Sequence, residues 1–293
     1  MGDLHGKNPI RYTVSGLCRL FGFSKQAYYK APEVKSGPDK DLVAEIIVFT
    51  ATQRDLDPRI GCRKLWHKYT CEERAISRRL FEDILAANSL MLRISRRKTR
   101  TTDSTHGLPV YPNLIYSVIP DHPCQIWVSD ITYVPLVNAD GTTRFCYLSI
   151  VTDAYSRYIL GYYVGHTLET IYSIIALNKA LETCHRLRLD TTGLIHHSDR
   201  GVQYASKDYV KTLEINKIGI SMTENGNPKD NPQAERINST VKNELLHGLT
   251  FTSINDVMER LPRRIDYYNT QRPHMSLDYM TPLQALRHQG EIK

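Results

Sequence analysis

Three strand-like segments follow one another between residues 125 and 164, and this run constrains the fold more than any other feature of the sequence. Residues 125–136, 145–153 and 158–164 are each rich in β-branched and aromatic side chains, which favour strands. Asn138-Ala139-Asp140-Gly141, between the first two segments, is a strong turn signal. Consecutive strands joined by short turns predict an antiparallel meander.

Helices and strands alternate after the meander. Apolar spacing predicts a helix over 168–187, a strand over 194–196, a helix over 207–213, a strand over 218–222 and helices over 232–246 and 254–268. A meander followed by this alternation predicts an α/β domain over residues 116–293, with a mixed five-stranded sheet flanked by helices.

The first 36 residues carry a helix-turn-helix-like pattern. Leu17, Leu20 and Phe21 recur at helical spacing, Gly22 breaks the pattern, and Ser24 is a suitable cap for a second helix. Helix, short glycine turn and helix is the layout of a helix-turn-helix, although many small helical hairpins share it. A Pro/Gly/Lys-rich linker follows.

Residues 37–115 are predicted to form a helical DNA-binding region that ends in a basic linker. Apolar stripes indicate helices over 41–52, 63–69 and 76–88. Five basic side chains then fall within eight residues: Arg93, Arg96, Arg97, Lys98 and Arg100. They are interpreted as a phosphate-contacting arm, and a solvated linker is a compatible alternative.

The charge distribution supports a nucleic-acid partner. The chain has 293 residues and a net charge of +7. Residues 1–115 hold 20 Lys and Arg against 12 Asp and Glu, whereas the remainder holds 18 against 19. A basic region before a near-neutral one predicts a polyanion-binding module, although a merely soluble basic surface has the same composition. Because the chain contains no long apolar run and no signal-peptide core, a cytoplasmic location is expected.

The six cysteines show no C-x-x-C pair, and free, mostly buried thiols are expected. Cys62, His67 and Cys71 lie close enough in sequence to suggest zinc, but no clear fourth ligand accompanies them. The thiol interpretation is therefore preferred.

Three carboxylates stand where a metal site would need them. Asp130 lies in the middle of an apolar strand, where a charge is costly unless a cation or donors satisfy it. Asp199 follows the strand at 194–196, and the carboxyl ends of strands are where sites gather in α/β sheets. Glu235 falls one turn into a helix that Asp230 or Asn231 can cap. Each alone has an ordinary structural explanation, and only their combination favours a site.

Such a trio suits phosphodiester chemistry. Carboxylates are ligands for Mg²⁺ or Mn²⁺, and two ions can activate the attacking oxygen and stabilise the leaving one. Without metal the three charges would repel each other, so a metal-dependent site is predicted. Lys242 is seven residues beyond Glu235, or about two helical turns, so it is expected on the same face, near a DNA phosphate.

These residues resemble motifs of the insertion sequence 3 family, specifically its catalytic transposase subunit, whose core is similar to retroviral integrases. The likeness covers nearly the whole chain. Asp199 and Glu235 are separated by 35 residues, the spacing characteristic of that family. The matching segments are residues 127–133, 197–204, 230–235 with Lys242, 267–274 with Leu277 and Thr281-Pro282, and Gly61 with Arg63, Lys64 and Leu65.

The resemblance implies a ribonuclease-H-like fold and a DDE transposase that cleaves DNA strands and transfers them. It implies that Asp130, Asp199 and Glu235 bind two Mg²⁺ or Mn²⁺ ions and that Lys242 contacts DNA. His197, Asn231 and Gln233 are expected to support the ligands or touch substrate. Asp153 and Arg272-Pro273-His274 are expected to shape the core.

The resemblance also implies partners: DNA at the element ends and target, further copies of the chain on DNA, and an upstream-frame helix-turn-helix or zipper protein. A bacterial, nucleoid-associated location follows from it. Ser129 replaces the more usual threonine and Pro232 the common alanine. No zinc-binding His/Cys module or zipper heptad is evident in the sequence. A non-enzymatic DNA-binding regulator and a ribonuclease of the same fold remain alternatives.

Overall fold

The computed structural model describes residues 13–29, 38–72, 74–92, 108–224 and 231–288. Contacts divide the chain into a first unit that ends at Ala44 and a second that begins at Glu45. The boundaries predicted at residues 36 and 115 concern functional modules and stay predictions. The basic segment Arg93–Arg100 lies outside the described residues.

The first unit contains two short helices, α1 (Val14–Leu20) and α2 (Lys25–Tyr29). Thr13 Oγ1 accepts a hydrogen bond from the Gly16 amide at 3.1 Å and so caps α1. Gly22 adopts a φ of 71° between the helices, a conformation that glycine takes without steric cost. The two predicted helices are therefore present, and their role as a helix-turn-helix stays a prediction.

Among the described residues, three more helices lie between α2 and the sheet: α3 (Lys40–Leu56), α4 (Cys62–Thr70) and α5 (Arg78–Ala87). The Phe49 and Tyr69 rings meet edge to face with centroids 5.2 Å apart, and Tyr69 and Phe81 lie 5.5 Å apart. These buried aromatic contacts hold the helices together.

The sheet has five strands in the order β3-β2-β1-β4-β5. The first three are antiparallel neighbours, whereas β4 pairs parallel with both β1 and β5. This mixed sheet confirms the predicted meander and the ribonuclease-H-like arrangement. The strands are β1 (Ile126–Val137), β2 (Thr143–Asp153), β3 (Ile159–Gly165), β4 (Ile195–Ser198) and β5 (Gly219–Met222).

Helices cover both faces of the sheet, as predicted. On one face Trp127 packs with Leu177 and Tyr209, and on the other Leu148 packs with Ile237 and Leu261. The helices are α6 (Thr170–Leu187), α7 (Val202–Ala205), α8 (Lys207–Ile215), α9 (Pro232–Thr240), a π-turn (Val241–Leu245), α10 (Ile254–Thr270), a 3₁₀ turn (Met275–Leu277) and α11 (Pro282–Arg287).

Helices α3 and α4, called the front helices below, pack on the C-terminal helices of the second unit. Arg264 Nη1 donates to the Leu56 and Leu245 carbonyls, each at 2.8 Å. The His67 and Tyr279 rings stack with centroids 4.4 Å apart. The sequence pattern did not predict this contact, which joins α3 and α4 to the α/β core.

All six cysteines are free, and Cys18, Cys124, Cys146 and Cys184 are buried. The Cys62 thiol contacts Glu82 Oε1 at 3.7 Å and Cys71 lies 3.6 Å from His67 Nε2. Within the described part of the chain, no helix is long and apolar enough to cross a membrane.

Gly161 on β3 allows α6 to approach the sheet closely. A Cβ there would lie 2.1 Å from the Ala176 carbonyl oxygen and 2.5 Å from the Ala180 nitrogen, both backbone atoms. We expect Gly161→Ala to lower the free energy of unfolding by about 1–3 kcal/mol or more, because the helix must shift. Urea denaturation measures this. Gly219→Ala is the control, since its added Cβ would first meet Ile195 at an ordinary 3.4 Å. Equal stability losses would contradict the close-packing explanation.

Candidate active site

Asp130 lies in β1 and is held by donors from two elements. The Ile131 amide donates to its Oδ1 at 2.8 Å, and Asn238 Nδ2 of α9 donates to its Oδ2 at 2.8 Å. The side chain is only partly buried. Its charge is therefore partly satisfied by one donor on each oxygen.

Asp199 follows β4, the parallel neighbour of β1. Ser129 pairs with Ser198 in the register, so Asp130 and Asp199 come next on strands about 4.8 Å apart. The Gly201 amide donates to Asp199 Oδ1 at 2.9 Å and fixes the turn. The two aspartates are thus brought together at one end of the paired strands, as predicted.

Glu235 lies in the first turn of α9 and is exposed. Asn231 Nδ2 donates to the Ser129 carbonyl at 3.2 Å, while Asn238 reaches Asp130. Residues 231, 235 and 238 are four and three apart, so they share one helix face. Because two of them contact β1, Glu235 lies on the face turned toward the aspartates.

The carboxylates influence one another electrostatically. Burial raises the pKa of Asp130 to about 7, and the charge of Asp199 and, more weakly, that of Glu235 act in the same direction. Hydrogen bonds from Ile131 and Asn238 oppose this shift. Partial desolvation also raises the pKa of Glu235, although most of its side chain is exposed. An added cation would relieve this repulsion.

The three carboxylates converge on one region without forming a closed ligand set. Among the described residues, no group of three His, Cys, Asp or Glu side chains stands close enough together to hold an ion. Asp130 and Asp199 are fixed by the sheet, whereas exposed Glu235 is free to turn its long side chain. The oxygen donors suit Mg²⁺ or Mn²⁺ in kind, and an ion would have to draw Glu235 inward.

The other predicted residues occupy varied positions. His197 is fully buried and its Nδ1 lies 2.9 Å from Ser221 Oγ, so it is not open to substrate in this structure. Asn231 Oδ1 and Gln233 Oε1 are buried without a hydrogen-bond partner in the described part of the chain. Lys242 is partly exposed in the π-turn. It is the second residue of that turn, and its position on the same face as Glu235 stays a prediction.

Two residues that hold Asp130 or its neighbour Ser129 in place, His196 and Asn238, were not singled out from the sequence. His196 Nε2 lies 2.8 Å from Ser129 Oγ and 2.9 Å from the Tyr209 hydroxyl. Burial lowers the pKa of His196 to about 3, so the ring is neutral. Asn238 was also missed, although its position three residues after Glu235 on an amphipathic helix was a usable signal.

Asp153 has a structural role, as expected. Its Oδ1 accepts from the Cys124 amide and its Oδ2 from the Ser156 amide, each at 2.8 Å. These bonds close the turn between β2 and β3 and tie it to the segment before β1.

Two family models described as integrase core domain match residues 120–228 and 216–282. The insertion element IS600 uncharacterized 31 kDa protein of Shigella sonnei is 31% identical, covering 91% of this chain and 96% of that protein. The transposase InsF for insertion sequence IS3A of Escherichia coli K12 is 26% identical, with 95% of each chain covered. A simian T-cell lymphotropic virus intasome structure, bound to a PP2A regulatory subunit, is 17% identical with a TM-score of 0.45, covering 82% of this chain and 74% of that one.

Proposed function

The chain belongs to the insertion sequence 3 family of transposases, and we propose that Asp130, Asp199 and Glu235 hold the divalent metal of its DDE site. The chain is a polynucleotidyl transferase with an integrase core. One observation carries the assignment of residues. Asn231 and Asn238 bind α9 to β1 on either side of Glu235, so Glu235 faces the strand that bears Asp130.

Bound divalent ions would supply Lewis-acid stabilisation of the attacking and leaving oxygens at phosphorus. The protein contributes the positions of the ligands. The sheet fixes Asp130 and Asp199, while the Ile131 amide and Asn238 each donate to one oxygen of Asp130. We propose a pair of ions. Two divalent ions carry four positive charges, three carboxylates neutralise three of them, and the phosphodiester can supply the remaining negative charge.

The reaction proposed for this site has two steps at phosphorus. Water first cleaves the strand at an element end and leaves a 3′-hydroxyl. That hydroxyl then attacks a second phosphodiester, so one P–O bond forms as another breaks. No protein side chain becomes covalently attached to DNA in this scheme.

Metal binding should stabilise the folded protein through Asp130. We expect saturating Mg²⁺ or Mn²⁺ to raise the Tm by about 5–10 °C, because a ligand at 100 times its Kd stabilises by about 2.7 kcal/mol. Asp130→Asn should abolish this rise and increase the metal-free Tm by about 2–4 °C, since it removes a carboxylate that burial and Asp199 disfavour. Thermal denaturation with and without metal measures both effects. Asp83→Asn is the control, because Asp83 is an exposed residue of α5. An undiminished metal response in Asp130→Asn would overturn the ligand assignment.

Lys242 is proposed to contact a DNA phosphate. We expect Lys242→Ala to weaken DNA binding at low salt and to reduce the slope of log K against log salt by about one phosphate contact. Fluorescence anisotropy over a salt series gives this slope. Lys211→Ala is the matched control, because Lys211 is an exposed residue of α8. An unchanged slope in Lys242→Ala would exclude the contact.

The assembly is also part of the proposal. We propose that several copies act together on DNA ends, that the basic segment Arg93–Arg100 contacts phosphates, and that an upstream-frame protein assists end recognition. The basic composition of residues 1–115 supports a DNA substrate. Cleavage of an RNA–DNA hybrid without cleavage of duplex DNA would instead favour a ribonuclease.

A further inference from the structure

A cavity of about 270 Å³ lies beside the candidate active site. Its walls come from the segment before β1, from β1 itself, and from the start of α9. The polar and aromatic members of its lining include Asn113, Tyr116, Asn231 and Gln233, and the apolar members include Ile115, Val118, Pro120, Ile126, Val128 and Ala154.

The cavity shares a strand face with the candidate catalytic carboxylate. Side chains alternate along a strand, so Ile126, Val128 and Asp130 project from the same face of β1. Val128 and Asp130 are two residues apart, which is about 7 Å along the strand. Asn231 is the N-cap residue of α9 and lies four positions before Glu235. A ligand in the cavity would therefore adjoin the reacting phosphate.

The lining points to a neutral ligand with a hydrogen-bonding edge. None of the described residues that line the cavity is charged, which disfavours a phosphate or a metal ion. Asn231 is only 6% exposed, yet its Oδ1 has no partner among the described residues, and neither has the buried Gln233 Oε1. Buried amide groups left unpaired are costly, so a ligand that pairs with them would be favoured.

The segment before β1, which forms one wall of the cavity, is anchored to the sheet, and the aromatic ring of Tyr116 lies at the rim. Ser221 Oγ accepts the Leu114 amide at 2.9 Å and so anchors the segment before β1 to β5. Tyr116 lines the cavity while 77% exposed, leaving a ring face available for stacking. The volume is below the roughly 300–1,000 Å³ of sites for drug-sized ligands, which suits one small ring system.

We propose that this cavity receives a single unpaired DNA base from a nucleotide next to the cleaved phosphate. Apolar walls, an aromatic platform and amide groups are the features with which proteins hold a base taken out of the stack. The proposal rests on the proposed function, since it assumes that DNA lies across Asp130 and Glu235.

Fluorescence of 2-aminopurine tests the proposal directly. The probe is a duplex of the element's terminal sequence, with 2-aminopurine placed in turn at each position flanking the cleaved phosphate. The full chain is mixed with it in calcium. We expect fluorescence to change several-fold at one position, and Tyr116→Ala and Val118→Trp to remove that change. Ile119→Ala is the matched control, because Ile119 is exposed but does not line the cavity.

An abasic nucleotide provides the second arm. At the responsive position it should restore strand joining to Val118→Trp, which we expect to bind the intact duplex roughly tenfold more weakly. The proposal is overturned if no position responds, or if the response persists in both Tyr116→Ala and Val118→Trp. If the wild-type protein cleaves the strand in Mg²⁺ but no fluorescence change is seen, only the base-binding inference is wrong. If Glu235→Gln still cleaves the strand, the proposed function is wrong.

Discussion

Glu235→Gln is expected to reduce strand cleavage and joining at least about 1,000-fold, while DNA binding changes little. Glutamine keeps the size and helix position of Glu235 but removes the negative charge that a divalent ion requires. Losing one well-placed charge-stabilising group typically costs 100- to 1,000-fold in rate, and loss of a metal ligand should be at the upper end. An in vitro assay with labelled element-end DNA and Mg²⁺ measures both steps.

The fold should be unaffected by this change. Glu235 is exposed, and the contacts that fix α9 come from Asn231 and Asn238. Glu214→Gln is therefore a fair control, because Glu214 is an exposed glutamate of α8. If Glu235→Gln retains joining activity close to that of the control, Glu235 is not a metal ligand and the trio is wrongly assigned.

The sheet could be predicted because its signals are local. Each strand of the meander contains a short run of β-branched and aromatic residues, which predicts a strand, and the segment from Asn138 to Gly141 predicts the turn. Asp130 was found for the same reason, since a charged residue in such a run is unusual. Its pairing with Asp199 then follows from two neighbouring parallel strands.

The complete burial of His197 could not be predicted from the sequence. A histidine beside Asp199 in a polar motif was expected to support the ligands or touch substrate, and in the structure His197 belongs to β4 and pairs with Val128. Its Nδ1 lies 2.9 Å from Ser221 Oγ, which also accepts a hydrogen bond from the Leu114 amide in the segment before β1. The alternation of side chains along a strand does not predict which distant segments will pack on that strand.

The π-turn and the contacts between distant helices were also beyond sequence reasoning. A π-turn of five residues is shorter than the window in which helical periods can be told apart. Asp57 and Arg272 are 215 residues apart, and neither stands in a pattern that names the other. Arg272 was expected to shape the core, but its partner came only from the folded structure.

Arg272 joins the front helices to the C-terminal region through a buried charge network. Its Nε donates to Asp57 Oδ2 at 3.1 Å, its Nη2 to Glu244, and its Nη1 lies 3.2 Å from His274 Nε2. The Asp57 side chain is fully buried and that of Arg272 is 3% exposed. Burial and the charge of Arg272 lower the pKa of His274 to about 2, so this histidine is a neutral acceptor.

Arg272→Met is expected to lower the free energy of unfolding by about 3–5 kcal/mol, because it removes the ion-pair partner of the fully buried Asp57. Burial already raises the pKa of Asp57 despite the arginine beside it, which shows how costly that carboxylate is to ionise. Urea denaturation at neutral pH measures the loss. Adding Asp57→Asn should recover part of it, since the double variant no longer buries an uncompensated carboxylate.

Arg263 offers the matched control for this network. It pairs with Asp55 at 3.6 Å and so also links α10 to α3, but both side chains are largely exposed. Exposed pairs contribute about 0–1 kcal/mol, so Arg263→Met should change stability little. If Arg272→Met and Arg263→Met prove equally mild, the buried network does not hold the front helices. If only Arg272→Met is severe, the buried network holds α3 and α4 on the α/β core.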